Sequence, residues 1–351
     1  MTFYYDNVYI KDTYTVTGPY EKKGPLKSYF DKSHRNLYIG EKSFEKGEIK
    51  LVKEALQNLL EKTNMKKENI DLVIGGDLLN QIAASTYGCL NIGKSFIGIY
   101  GACSSSTLGL IIASNFIDKG FINNSICVVS SHNMTSEKQF RYPTEYGAPR
   151  PNSATFTSTG AASCLLTNEK TTIKVESATL GKIIDYSQND PNDMGRVMAP
   201  AAIDTLLNHL KDTNRSPDYY DLIVTGDLGI YGKEIVKDYL EKEYNIVLNN
   251  YDDCGVMLYD LKKQKDVKAG ASGPACSALV TYSYIYKMMK KKKLKKVLLL
   301  ATGALFSPIL LYQKEILIPS VMQLVWRWFN VTYIFIFILW FYLFNSANHF
   351  R

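Results

Sequence analysis

Apolar positions recur along this chain at helical spacing in two places, as Ile49, Val52, Leu56 and Leu59 and again as Ile203, Leu206, Leu207 and Leu210. Each set precedes a short apolar run that reads as a buried strand ending in a Gly-Asp turn. The first run is Asp71-Leu72-Val73-Ile74-Gly75-Gly76-Asp77-Leu78, and 150 positions later comes Asp221-Leu222-Ile223-Val224-Thr225-Gly226-Asp227-Leu228. A small-residue turn follows each copy, Gly101-Ala102-Cys103-Ser104-Ser105-Ser106 and Gly270-Ala271-Ser272-Gly273-Pro274-Ala275-Cys276-Ser277. An apolar helix then runs through Leu110, Ile111, Ile112 and Phe116 in the first case and to about Met289 in the second, with strands expected at 126–129 and 297–300. The order helix, strand, turn, buried helix, strand thus occurs twice, which predicts a duplicated α/β fold with mostly parallel sheets covered by helices.

Composition narrows the class without naming a function. Of 351 residues, 46% are apolar and 21% charged, the balance of a globular chain long enough for one large core or two ordinary ones. The net charge of +7 is modest, and its one dense run, Lys290–Lys293 with Lys295 and Lys296, reads as the solvated end of a helix. Nucleic acid is therefore not expected as a partner. Six cysteines lack any CxxC pairing and lie among apolar or small residues, so buried free thiols fit better than disulfides or a zinc site. The first residues lack the basic and apolar regions of a signal peptide, which leads us to expect synthesis without export.

A family resemblance sharpens this. The segments Gly76-Asp77-Leu78-Leu79-Asn80-Gln81, Gly98-Ile99-Tyr100-Gly101-Ala102-Cys103-Ser104, Ser130-Ser131-His132-Asn133, Phe140-Arg141-Tyr142-Pro143-Thr144-Glu145, Thr159-Gly160-Ala161-Ala162, Tyr251-Asp252-Asp253-Cys254-Gly255 and Thr302-Gly303-Ala304-Leu305 keep their order along the chain. With them it resembles the thiolase superfamily, and within it the stage V sporulation protein AD family of endospore-forming bacteria, over roughly residues 10 to 320. The resemblance implies a five-layer αβαβα fold, with halves at 1–170 and 171–321 and an apolar tail at 322–351. It implies a homodimer, no cofactor, and a role in loading dipicolinic acid, alone or as its calcium chelate, into the forespore. The implied partners are membrane proteins of the same operon, and the implied place is the cytoplasm, peripheral to the spore inner membrane.

Cys103 stands at the superfamily's nucleophile position, where a helix N-terminus favours thiolate and free backbone N–H groups can hold an anion. Condensation or thiolysis also needs a facing base or donor, usually a second-half histidine. The four histidines are His34, His132, His209 and His349. His209 reads as a helix-surface residue, and the second-half turn that carries a catalytic histidine in thiolases is Ser272-Gly273-Pro274-Ala275-Cys276 here. We therefore expect a binding protein without catalytic residues. Its candidate ligand site is Cys103, His132, Asn133, Arg141, Gly160, Gly273 and Cys276. For Cys103, His132 and Cys276 a packing role stands beside the pocket role, and for Arg141, like Arg150, a solvated arginine is the commoner case. The rival functions are a Cys103-dependent acyltransferase or ketoacyl synthase, and a scaffold in a spore membrane complex.

The run from Leu324 to Phe344 is almost wholly apolar and about the length of one membrane span. The resemblance implies instead a final core strand beginning Ala-His-Ala-Val. One choice of codons for 322–330, read one base earlier, gives His-Ala-Val-Ser-Leu-Glu-Met-Val and a stop. A frameshift near Val321, a genuine anchor and a gene fusion are all open, and the DNA read in every frame separates them.

Overall fold

The computed structural model describes residues 1–140 and 150–329. In the first half, strands β1 (Tyr9–Thr17), β2 (Leu72–Gly76), β3 (Ser95–Gly98), β4 (Asn124–Ser131) and β5 (Gly160–Thr167) lie in the order β3-β2-β4-β5-β1. In the second, β6 (Ile173–Leu180), β7 (Leu222–Thr225), β8 (Tyr251–Asp253), β9 (Lys296–Leu305) and β10 (Ile318–Trp328) lie in the same order, β8-β7-β9-β10-β6. In both halves the fifth strand alone runs antiparallel to its neighbours. The two sheets meet where Tyr9 pairs with Lys174.

Local chemistry repeats in the two halves. Helix α1 (Phe44–Thr63) is N-capped by Ser43, which accepts from Lys46 N, and ends at Asn64 in the left-handed region. Helix α4 (Met194–Thr213) is capped by Asp193, which accepts from Arg196 N, and ends at Asn214 in the same conformation. Asp71 accepts from the N–H groups of Asn123 and Asn124, and Asp221 does the same for Lys295 and Lys296. Each aspartate so clasps the start of the strand beside its own.

Five layers follow. The apolar face of α1 packs on the outside of the first sheet, and α4 on the outside of the second. Between the sheets lie helix α2 (Ser105–Asp118) and helix α5 (Pro274–Leu279), which continues through a π-helical turn at Val280–Ile285 and on to Lys290. Small residues admit this contact, and Ser106 and Ser277 hydrogen-bond across it at 2.9 Å.

Strand β10 corrects the expected end of the second half. It runs seven residues beyond 321, with Met322–Arg327 paired to β9 on one side and Met322–Trp328 paired to β6 on the other. Leu324, Val325 and Trp326 are buried there, because an interior strand needs apolar side chains on both faces. The apolar run thus starts as the fifth strand. No helix among the described residues is long and apolar enough to cross a membrane; 330–351, with His349, lies outside them.

Candidate functional site

The two small-residue turns converge at the carboxyl ends of the parallel strands, where open α/β sheets leave a crevice. Ala102 takes the left-handed conformation (φ 46°), and this sharp turn sets Cys103 just ahead of α2. Gly303, at the far end of β9, passes so close that a Cβ on it would lie 2.3 Å from the Gly101 carbonyl oxygen. Only glycine lets the halves approach this closely. The resulting pocket encloses about 640 Å³, open solvent at its mouth included. Cys103 and Asp227 line its floor, and Tyr100, Phe140 and Phe306 form aromatic walls, the two phenylalanine rings 5.5 Å apart.

Asp227 is the pocket residue that sequence reasoning missed. It is fully buried, accepts from Gly273 N at 3.1 Å and from Thr302 Oγ1 at 3.4 Å, and lines the pocket together with Cys103. Burial, and secondarily the charge of Asp253, pushes its carboxyl up to about 7. Burial, followed by the negative charge of Asp227, drives the Cys103 thiol well above the usual range. This direction runs against the thiolate expected at a helix N-terminus, because desolvation and a nearby carboxylate oppose the dipole. The available signal was the second Gly-Asp turn itself, at a strand's carboxyl end.

Of the seven candidate positions, the structure brings Cys103 and Gly273 into the pocket. Gly273 sits at φ +97° with its N–H on Asp227, a conformation that side chains strain to adopt. Cys276 lies behind them, fully buried, its thiol 3.5 Å from the Gly226 carbonyl oxygen. His132, Asn133 and Gly160 lie elsewhere. His132 is buried, with Nε2 2.7 Å from the Leu37 carbonyl oxygen and Nδ1 accepting from Met134 N. Burial lowers its proton affinity, which makes it a structural imidazole. Asn133 opens helix α3 (Asn133–Phe140), its N–H on Thr159 Oγ1, while Gly160 starts β5 opposite Thr17 and Ser131. Arg141 lies outside the described residues. Arg150 holds Glu137, a pocket-lining residue, at 2.6 Å.

The other described histidines are also spoken for. His34 pairs with Glu54, and His209 is fully buried between Thr179 Oγ1 (2.8 Å) and the Tyr220 hydroxyl (2.6 Å), not on the helix surface as its neighbours suggested. Burial, then the nearby Arg215, lowers His209 to about 4. Among the described residues no histidine faces Cys103.

The comparisons agree with this architecture. The family model for Stage V sporulation protein AD (SpoVAD) matches residues 2–326. The Stage V sporulation protein AD of Bacillus subtilis (strain 168) is 45% identical over 314 residues, covering 90% of this chain and 92% of that one. Among solved structures, a single-residue variant of Xanthomonas campestris OleA superposes with a TM-score of 0.59 at 15% identity, covering 93% of this chain and 99% of that one. The 3-oxoacyl-[acyl-carrier-protein] synthase III of Aquifex aeolicus VF5 gives 0.57 at 13%, covering 90% and 99%. These two likenesses establish the fold. With a family match over nearly its whole length, two five-stranded halves in one strand order and a pocket between their turns, the chain belongs to the stage V sporulation protein AD family on a thiolase-like fold.

Proposed function

We propose that this protein binds dipicolinic acid, or its calcium chelate, in the pocket at Cys103 and does no chemistry on it. The observation that carries the reading is the Cys103–Asp227 pair. A thiol facing a buried carboxylate is held protonated, so the old nucleophile position serves as a wall of the pocket. The aromatic faces of Tyr100, Phe140 and Phe306 suit a flat ring. Asp227 in the lining favours the calcium chelate, whose carboxylates are already neutralised, over the bare dianion. Among the described residues no three His, Cys, Asp or Glu side chains are grouped to hold a metal, so calcium would arrive on the ligand's own carboxylates.

In this reading the protein is a receptor at the cytoplasmic side of the spore inner membrane, handing ligand to membrane proteins of its operon for uptake into the forespore. A homodimer fits the open edge of β3, where Phe96 and the nearby Tyr87, Leu90 and Tyr100 are exposed.

Calorimetric titration with dipicolinate, with and without calcium, tests the proposal. We expect saturable binding that is stronger with calcium and abolished by Cys103→Trp, which fills the floor. A folded protein that binds neither form overturns it in favour of a scaffold. Acyl transfer onto Cys103 from an acyl thioester overturns the non-catalytic part.

A further inference from the structure

Helix α3 walls the pocket through Ser136, Glu137 and Phe140. Two buried carboxyls of the first half moor it, one near each end. At its first turn Thr135 Oγ1 lies 2.8 Å from Glu48 Oε2 of α1, and Ser130 Oγ, at the end of β4, lies 2.9 Å from Glu48 Oε1. At its last turn Gln139 Nε2 donates to the Leu78 carbonyl oxygen at 2.8 Å, and Gln139 Oε1 accepts from Asn80 N at 3.0 Å. Leu78 and Asn80 belong to the turn that Asp77 fastens through Leu79 N and Ser85 N.

The protons on this network can be counted. Glu48 and Asp77 are fully buried, and among the described residues their hydrogen-bond partners include no cation. Asp77 takes two backbone N–H groups, which support a carboxylate, whereas Glu48 takes hydroxyls. Thr135 has one hydroxyl proton and two acceptors in reach, Glu48 Oε2 and the His132 carbonyl oxygen at 3.0 Å. A neutral Glu48 satisfies every group: its O–H donates to Thr135, Thr135 donates to His132, and Ser130 donates to the other Glu48 oxygen. An ionised Glu48 takes the Thr135 proton from the His132 carbonyl and sets a second charge beside Asp77 in the core. Burial, then the charge of Asp77, pushes Glu48 up to about 8, and burial raises Asp77 as well.

The neighbouring groups leave this pair to itself. Glu45 is paired with Lys138 of α3, Glu41 with Lys50, Glu54 with Lys32 and His34, and Glu137 with Arg150. Lys46 and Lys53 of α1 are exposed, and Asp12 of β1 meets Lys62 at the far end of the helix. Burial lowers the proton affinity of His132 and pushes the Cys89 thiol, at the end of the short helix Ala83–Cys89, up to about 12. We propose that Glu48 is a proton-operated latch on the pocket wall: protonated, it moors the first turn of α3, and ionised, it frees that turn and weakens ligand binding. The effect on the ligand rests on the pocket reading above, and the effect on α3 does not.

Hydrogen exchange of the unliganded full chain at pH 7 and pH 9, corrected for intrinsic rates, tests the latch. Protection of the α3 amides should be about tenfold lower at pH 9. Glu48→Gln, whose amide keeps one donor and one acceptor, should remove that difference, and so should Thr135→Val, which cuts the relay. In titrations with dipicolinate and calcium, affinity should fall about tenfold more across this range in the parent than in Glu48→Gln, any remaining fall belonging to Asp227. An equal pH response of α3 in parent and Glu48→Gln, a flat parent profile, or an equal loss of protection in α4, which marks global opening, each overturns the latch. Ligand binding with one pH profile in both proteins overturns it too. Absence of dipicolinate binding with the exchange contrast intact upholds the latch on α3 and refutes the ligand reading instead.

Discussion

The two halves share a backbone plan and differ in what they do with the aspartate that ends the second strand of each. Asp77 serves its own turn, accepting from Leu79 N at 2.8 Å and Ser85 N at 2.7 Å. Asp227 accepts from Gly273 N and faces the pocket that Cys103 lines, and its own turn is held instead by Asp253, which accepts from Leu228 N, Gly229 N and Val256 N. Duplication supplies the strand order, while divergence of a few buried polar groups decides what each aspartate serves.

The largest effect that breaks this comparison is Asp253→Ala. Three backbone N–H groups and Thr225 Oγ1 lose their acceptor, and we expect a loss of about 4 kcal/mol in urea unfolding. A loss below ~1 kcal/mol would show that the second turn does not depend on Asp253.

Next comes the reactivity of Cys103. Asp227→Asn removes the facing charge and should speed alkylation of Cys103 at pH 8 about tenfold, whereas Asp77→Asn should leave it alone. Equal rates in both variants would mean that burial alone sets the thiol's state.

The pH dependence of stability sharpens the contrast further. Burial raises Glu48 to about 8, Asp227 to about 7 and Asp253 to about 6, so the folded chain binds protons that the unfolded carboxylates have already lost. Their contribution is fully present below the ordinary carboxylate range and is lost as pH rises through these values. His209, lowered to about 4, acts in the opposite sense, its contribution falling away as pH drops from 6.5 towards 4. Melting temperature should therefore decline between pH 6 and pH 8, and Glu48→Gln, which belongs to the first half alone, should flatten the upper part of that decline. An unchanged slope in this variant would refute its share.

The smallest effect concerns the fifth strands. Ser163 of β5 donates to the Ala55 carbonyl oxygen of α1 at 2.7 Å. Gln323 of β10 is fully buried on the side of Val321 and Val325, and its side-chain amide finds no partner among the described residues. Gln323→Leu should raise stability by up to ~1 kcal/mol, and a clear loss would reveal a partner for that amide.

Much of the fold was legible because it is written locally and twice. Helical spacing, buried strands and Gly-Asp turns recur in the same order, and each element follows from its own residues. The site was legible only in part. Cys103 and Gly273 could be placed from their turns, but His132 and His209 became structural through partners on other elements. The end of the second half was misjudged because an apolar run reads alike as an interior strand or a membrane segment until its neighbours are known.

By itself, then, the sequence determined the duplicated α/β plan and the candidate nucleophile position, since periodicity and turn chemistry act over a few residues. Tertiary structure alone decided the meeting of Asp227 and Cys103 in one pocket, the burial of His209 and the pairing of β10 between β9 and β6. Each depends on charges, solvent exclusion and strand pairing between segments tens to hundreds of residues apart, and no local pattern encodes those distances.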